Sequence, residues 1–228
     1  VEDLLLPVGL DLKIRNLLGQ IGAGGLPLHI LIDCRSLVGQ DVAKLTNVVM
    51  AVLPVLRLLS PARLVLSASS MVADTSGFKR NSMNRVKRND LSLWIAVCHT
   101  GHTDVSFGDY GVIHPDYVDL DPKVIKPTAK IRYTTGSEWI FLKGIQWVKD
   151  TSQHHGLSMD LAKCPEFRGA DSWGGDYIES AAAGRPKYGT LETWVTVDQN
   201  AHITLTSKQI ERILYAAREV AKNATLTS

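Results

Sequence analysis

Short apolar runs separated by helical stretches in the first half, and extended runs paired around a tight turn in the second, predict an α/β fold. Its sheet is expected to be parallel early and to carry antiparallel hairpins late. The composition agrees with a packed chain: 45% hydrophobic and 21% charged residues, with no internal repeat and no low-complexity linker. At 228 residues, the whole of 1–228 is expected to form a single α/β domain.

Asp11 to Leu18 sets Leu12, Ile14, Leu17 and Leu18 at spacings that suit a short helix, which the glycine-rich stretch up to Pro27 must end. His29 to Asp33 (HILID) is apolar without alternation, as a strand covered on both faces is. Asp41 stands where a helix cap belongs, and Val42, Leu45, Val48, Val49, Val52, Leu53 and Leu56 follow at helical spacing. Pro54 is expected to kink or end that helix. Ala62 to Leu66 (ARLVL) reads as a second buried strand, closing in the small polar residues Ser67 to Ser70. The basic stretch Lys79 to Arg88 reads as a surface helix, and Leu91 to Val97 (LSLWIAV) as a third strand. Strand, helix, strand, helix, strand implies parallel pairing through right-handed crossovers.

In the second half, Val105 to Ile113 and Ala129 to Tyr133 read as strands, with Trp139 to Leu142 returning across the turn Thr135-Gly136-Ser137-Glu138. The loop Asp116 to Pro127 holds little regular structure. His154 to Lys163 and Tyr177 to Ala183 read as short helices, and Thr193 to Val197 and Ala201 to Leu205 as short extended pieces. Thr206 to Ala221 is the clearest helix: Thr206 or Ser207 caps it, and Ile210, Ile213, Leu214, Ala217 and Val220 form one stripe.

Lys+Arg 25 against Asp+Glu 23 leaves a formal charge of +2, so no global field favours nucleic acid. No apolar run approaches the roughly 20 residues of a membrane span. Cys34, Cys98 and Cys164 lack zinc-ribbon spacing and do not pair completely, which points to a reducing, cytoplasmic setting. The chain opens on Val1-Glu2-Asp3, without Met and without a basic signal-peptide region, as expected of part of a longer product.

Four constellations have chemical potential. The glycines Gly22, Gly24 and Gly25 precede a strand, whereas a phosphate loop follows one, so a plain loop is the expectation. His99, His102 and Asp104 offer three possible metal ligands in six residues, one short of a closed zinc site, and a polar loop is the simpler reading. The cations from Lys79 to Arg88 suit a solvated face better than a phosphate patch. Strand-embedded charges are the fourth. Asp33 ends a buried strand, where sites gather in parallel α/β folds. Asp109 sits among glycines and aromatics, and Arg132 lies mid-strand, where a charge is costly unless paired or facing a cavity. An Asp109–Arg132 pair would satisfy both, as a bridge fixing strand register or as a ligand clamp.

The stretches FGDYGVIHPDY (Phe107 to Tyr117), KIRYTTGSEWIFLKG (Lys130 to Gly144) and WGGDYI (Trp173 to Ile178), then Thr193-Trp194 and a histidine before the last helix, resemble the C-terminal part of the phage and bacterial beta protein family. The resemblance runs from about Phe107 to Leu205. It implies a partial or distorted β/α-barrel-like sheet, short of several strand–helix units at its N-terminal side, and a setting in phage–host conflict. Members commonly carry two adjacent histidines near the end; here the place reads Asn200-Ala201-His202, with one.

Two functions are expected from these residues. The first is a binding module in which Asp33, Arg132, Tyr133 and Asp176, with Asp109 and His202, line a cleft for a small anionic or nucleotide-like ligand or a protein partner. Arg132 would be a two-pronged donor, and Tyr133 and Trp139 stacking faces. The alternative is a metal-assisted hydrolase or transferase acting on a nucleotide or phosphodiester, with His202 as general acid or base and Asp109 orienting it. No cofactor, nucleic-acid partner or membrane contact is expected. The tryptophans Trp139, Trp147, Trp173 and Trp194 crowd the second half and suit either a core or an interface, leaving the oligomeric state open.

Overall fold

The computed structural model describes residue 25 and residues 27–116, 127–185 and 187–226. The expected helix over Asp11–Leu18, the glycines from Gly22 to Gly24 and most of the loop between Asp116 and Pro127 lie outside the described residues.

In chain order the described elements are β1 (His29–Ser36), α1 (Val42–Arg57), β2 (Arg63–Ser69), β3 (Met83–Lys87), α2 (Asn89–His99), β4 (Val105–Asp109), β5 (Thr128–Thr134), β6 (Glu138–Gln146), α3 (His154–Ala162), α4 (Trp173–Ala182) and α5 (Leu191–Leu226). They build two three-stranded sheets. The first is parallel, in the order β1-β2-β4; the second is antiparallel, in the order β3-β6-β5. The α/β class, the early parallel sheet and the late hairpin agree with the sequence reading. The described strands do not close into one barrel.

Four elements differ from expectation, each for a physical reason. Leu91–Val97 is not a strand but the body of α2: Leu91, Trp94 and Val97 recur at three-residue steps into the first core, and a continuous apolar run suits a buried helix as well as a strand. The third parallel strand is β4, reached after the chain has left to place β3 in the other sheet. The basic stretch before Arg88 is that β3, an edge strand whose lysine and arginine side chains discourage further pairing. Thr193–Val197 and Ala201–Leu205 are not extended; both belong to the 36-residue α5, where burial of Trp194, Val197 and Ala201 overrides the β-branched residues. The cap is therefore not Thr206 or Ser207. Thr190 and Thr193 exchange hydrogen bonds reciprocally, backbone N–H to hydroxyl, at 3.1 and 3.3 Å. Helix α1 is capped by Asp41 as expected and runs through Pro54 to Arg57.

Two cores follow. In the first, Leu64, Leu66 and Val105 of the parallel sheet pack with Leu45, Val49 and Leu53 of α1 and with Trp94 and Val97 of α2. In the second, Ile131, Tyr133, Ile140 and Leu142 of one antiparallel face pack with Leu157, Leu161, Ile178 and Trp194. The other antiparallel face is set by register: Lys130 opposes Lys143, Arg132 opposes Phe141, and Thr134 opposes Trp139. On it, Trp139 and Phe141 pack with Met71 and Val112, which follow the carboxyl ends of β2 and β4. The carboxyl ends of the parallel strands therefore meet the charged face of the second sheet.

Candidate functional site

Strand β5 is an edge strand, and α5 covers that edge while running in the same direction. Two residues of strand advance about 6.6 Å and four of helix about 6.0 Å, so side chains at alternate strand positions meet successive helical turns. Arg132 Nη1 donates to Asp198 Oδ2 at 3.0 Å, and one step further Thr134 Oγ1 lies 2.7 Å from His202 Nδ1. These two rungs form the seam between β5 and α5.

The His202 rung extends to the parallel sheet. His202 Nε2 lies 2.6 Å from Asp109 Oδ2, at the end of β4, and its ring stacks on Trp139 with centroids 4.6 Å apart. Burial works to raise the Asp109 carboxyl, but the His202 hydrogen bond and charge, the Gly111 N–H and the Arg88 guanidinium together hold it below the usual carboxylate range. An ionised Asp109 is an acceptor only, so His202 donates to it from Nε2, while Nδ1 meets the Thr134 hydroxyl, a group able to give or to take a proton. Both imidazole nitrogens are thus engaged, and the side chain is 1% exposed. The ring positions Asp109 and ties strand to helix.

Gly111 fits this arrangement through its backbone. It has φ +59 and donates its N–H to Asp109 Oδ1 at 3.0 Å, and a Cβ there would collide with the Gln199 amide, which itself accepts from the Val112 N–H at 2.9 Å. Beneath it, Arg88 is fully buried: Nη2 donates to Thr206 Oγ1 at 3.1 Å and lies 3.7 Å from Asp90 Oδ2, while Asp90 accepts from the Ser70 hydroxyl. Burial pulls the Arg88 guanidinium below its ordinary range, against the favourable charges of Asp90 and Asp109.

At the other end of the seam a cavity of about 240 Å3 lies between β5 and the first turns of α5, lined by Lys130, Arg132, Leu191, Trp194 and Val195 among others. Lys130 and Arg132 share a face by their two-residue spacing, and Lys143 stands directly opposite Lys130, a like-charge cross-strand pair. Lys143 donates to the Thr75 carbonyl, but the Lys130 ammonium has no hydrogen-bond or ion-pair partner among the described residues. Burial, then repulsion from Arg132 and Lys143, pulls the Lys130 ammonium below its usual range against the attraction of Asp74, which also acts on Lys143. Asp198 has a fully buried side chain with Oδ1 unpartnered, and burial outweighs the Arg132 charge to push its carboxyl up to about 7.

Of the residues singled out from sequence, Asp109 and His202 meet directly, and Arg132 lies one helical turn along the same seam. The expected Asp109–Arg132 pair does not form, because each charge has another partner in α5. Asp33 does not end its strand but lies inside β1, where the pairing becomes irregular before Ser36; it accepts from the Tyr110 hydroxyl and from the Arg35 N–H at 2.9 Å, apart from the seam. Tyr133 points to the opposite face of β5, where it is buried and its hydroxyl accepts from the Arg168 N–H at 2.9 Å. Asp176 is exposed in the first turn of α4, away from the other charges. Sequence does not single out Asp198 or Lys130, and Arg88, expected among the cations of a solvated face, is instead fully buried. Reading α5 as one helix would have set Asp198 four residues before His202, on the same stripe. In the His99–Asp104 stretch, Asp104 pairs with Arg57 at 2.7 Å, and no three His, Cys, Asp or Glu side chains among the described residues are grouped to hold a metal ion.

The family model described as Beta protein matches residues 3–208. The chain belongs to the Beta protein family. The match reaches well before Phe107, so the parallel sheet as well as the hairpin and seam falls within the family's extent. No curated protein and no solved structure matches this Beta protein family member. No helix among the described residues is long and apolar enough to cross a membrane.

Proposed function

We propose that the protein is a binding module for a small anionic ligand, taken up in the cavity between β5 and the start of α5. Arg132 supplies a planar, two-pronged donor and Lys130 a second cation, while Leu191 and Val195 receive an apolar portion. One observation supports this reading above others: three cations, Lys130, Arg132 and Lys143, crowd one sheet face with Asp198 as the one ion-pair partner among the described residues. An arriving anion relieves that repulsion and competes with Asp198 for Arg132. The phage–host setting belongs to the same proposal and rests on the family resemblance alone.

Thermal denaturation tests the proposal, with nucleoside monophosphates, dicarboxylates and inorganic phosphate as the panel. A ligand at about 100 times its Kd adds roughly 2.7 kcal/mol, which raises Tm by about 5–10 °C in a chain of this length. The shift is expected to vanish in Arg132→Ala and Lys130→Ala. No shift with any anion, or equal shifts in wild type and both variants, contradicts it.

The second reading is a metal-assisted hydrolase or transferase, favoured by the 2.6 Å Asp109–His202 contact. It needs the seam to open, because the imidazole is closed in on both nitrogens. Turnover of a nucleotide with added Mg2+ or Mn2+, lost in His202→Gln, would put this reading first.

A further inference from the structure

We propose that the cavity beyond the His202 rung, where the β5–β6 turn meets the middle of α5, is a second and separate site that takes the phosphoryl group of a small phosphorylated compound. The cavity measures about 250 Å3 and is walled by the turn residues Thr135 and Gly136, with Arg168, Lys208, Gln209 and Arg212 around it. That volume falls below the 300 Å3 or so at which whole drug-sized ligands are accommodated, and suits a phosphate or pyrophosphate moiety.

The charge balance selects the ligand's sign. Arg168, Lys208 and Arg212 face a single carboxylate, Asp171. Lys208 donates to the Asp171 carbonyl at 2.9 Å and lies 3.9 Å from its Oδ1, whereas the Arg168 and Arg212 guanidiniums have no ion-pair partner among the described residues. Two forked donors flanking an ammonium match the oxygens of a phosphoryl group.

A buried cation braces the wall from behind. Arg88 is fully buried, with Nε unpartnered, and hydrogen-bonds two of the lining residues: Gln209 Oε1 at 3.2 Å and the Thr135 carbonyl at 3.4 Å. Gln209 in turn donates to the Gly136 carbonyl at 2.6 Å, which fixes the turn against α5. Asp90 and Asp109 offset the Arg88 charge, so Arg88 serves to hold Gln209 and the turn in place, and the exposed cations of the lining set the potential in the cavity.

This site does not depend on the Lys130–Arg132 pocket, from which the two rungs of the seam separate it. Inorganic pyrophosphate, titrated into the full chain and followed by backbone amide NMR and calorimetry, tests it. The expected result is saturable perturbation at Gly136 and Gln209, with affinity falling about tenfold or more in Arg168→Ala/Arg212→Ala and staying at the wild-type level in Lys130→Ala. Both arginines are exposed, so the double variant is expected to retain the wild-type circular dichroism spectrum. Absence of binding, binding by the double variant at the wild-type level, or loss of binding in Lys130→Ala overturns the proposal. The last outcome would assign the signal to the first pocket and leave the anion-binding function standing.

Discussion

A fully buried carboxyl with one unpartnered oxygen resists ionisation, and Asp198 shows what that does to stability. In the folded chain its carboxyl is pushed up to about 7, and in the unfolded chain it returns to the usual range near 4. Between those values the folded state binds more protons than the unfolded, so stability falls as pH rises from about 4 to about 7 and loses nothing further above. Buried His154 acts in the opposite direction. Burial pushes it down to about 4, so its contribution is present above about 6.5 and is lost as pH falls. Asp198→Asn separates the two, since Asn mimics the protonated form and keeps an acceptor for Arg132. Urea denaturation is expected to show Asp198→Asn gaining stability over wild type at pH 8, with a smaller gain at pH 5 that vanishes below about pH 4; the same difference at pH 8 and pH 5 would refute the assignment. Gly111→Ala places a side chain at φ +59 against Gln199 and is expected to cost about 1–2 kcal/mol, read as a lower urea midpoint with unchanged slope. His202→Leu leaves the Asp109 carboxylate with the Gly111 N–H as its remaining hydrogen bond among the described residues, at an expected cost of about 2–4 kcal/mol. Adding Asp109→Ala should recover part of that loss, giving a coupling energy of about 1 kcal/mol or more.

At the scale of elements, α5 does two things: it shields the open edge of β5, and it carries Asp198 and His202 to the seam. Its start depends on the Thr190–Thr193 exchange, and Thr190→Ala is expected to cost about 1 kcal/mol in thermal unfolding. Protection of the β5 amides from hydrogen exchange should fall with it if the helix seals the strand edge. β1, α1, β2, the β5–β6 hairpin and α3 were legible because period and turn chemistry agreed there. α2 was not, because LSLWIAV is apolar at every helical and strand position except Ser92. The first half of α5 was hidden for the converse reason: Thr193, Val195, Thr196, Val197, Ile203 and Thr204 favour strands locally, and only packing on β5 makes them helical. That misreading concealed Asp198. The cost of a mid-strand Arg132 was readable from sequence, but its partner depended on a helix the local pattern argued against.

Across the whole molecule, two sheets meet so that the carboxyl ends of one face the charged side of the other. His202 locks this junction, with Asp109 from the parallel sheet on one nitrogen and Thr134 from the antiparallel sheet on the other. The junction leaves a cationic cavity at one end of the seam. Isothermal titration calorimetry of wild type and Arg132→Ala with a nucleoside monophosphate tests this most directly, run at low and high salt. Saturable, salt-sensitive binding by wild type, weakened at least about tenfold in a folded Arg132→Ala, is the predicted result. Identical isotherms from the two proteins would contradict it.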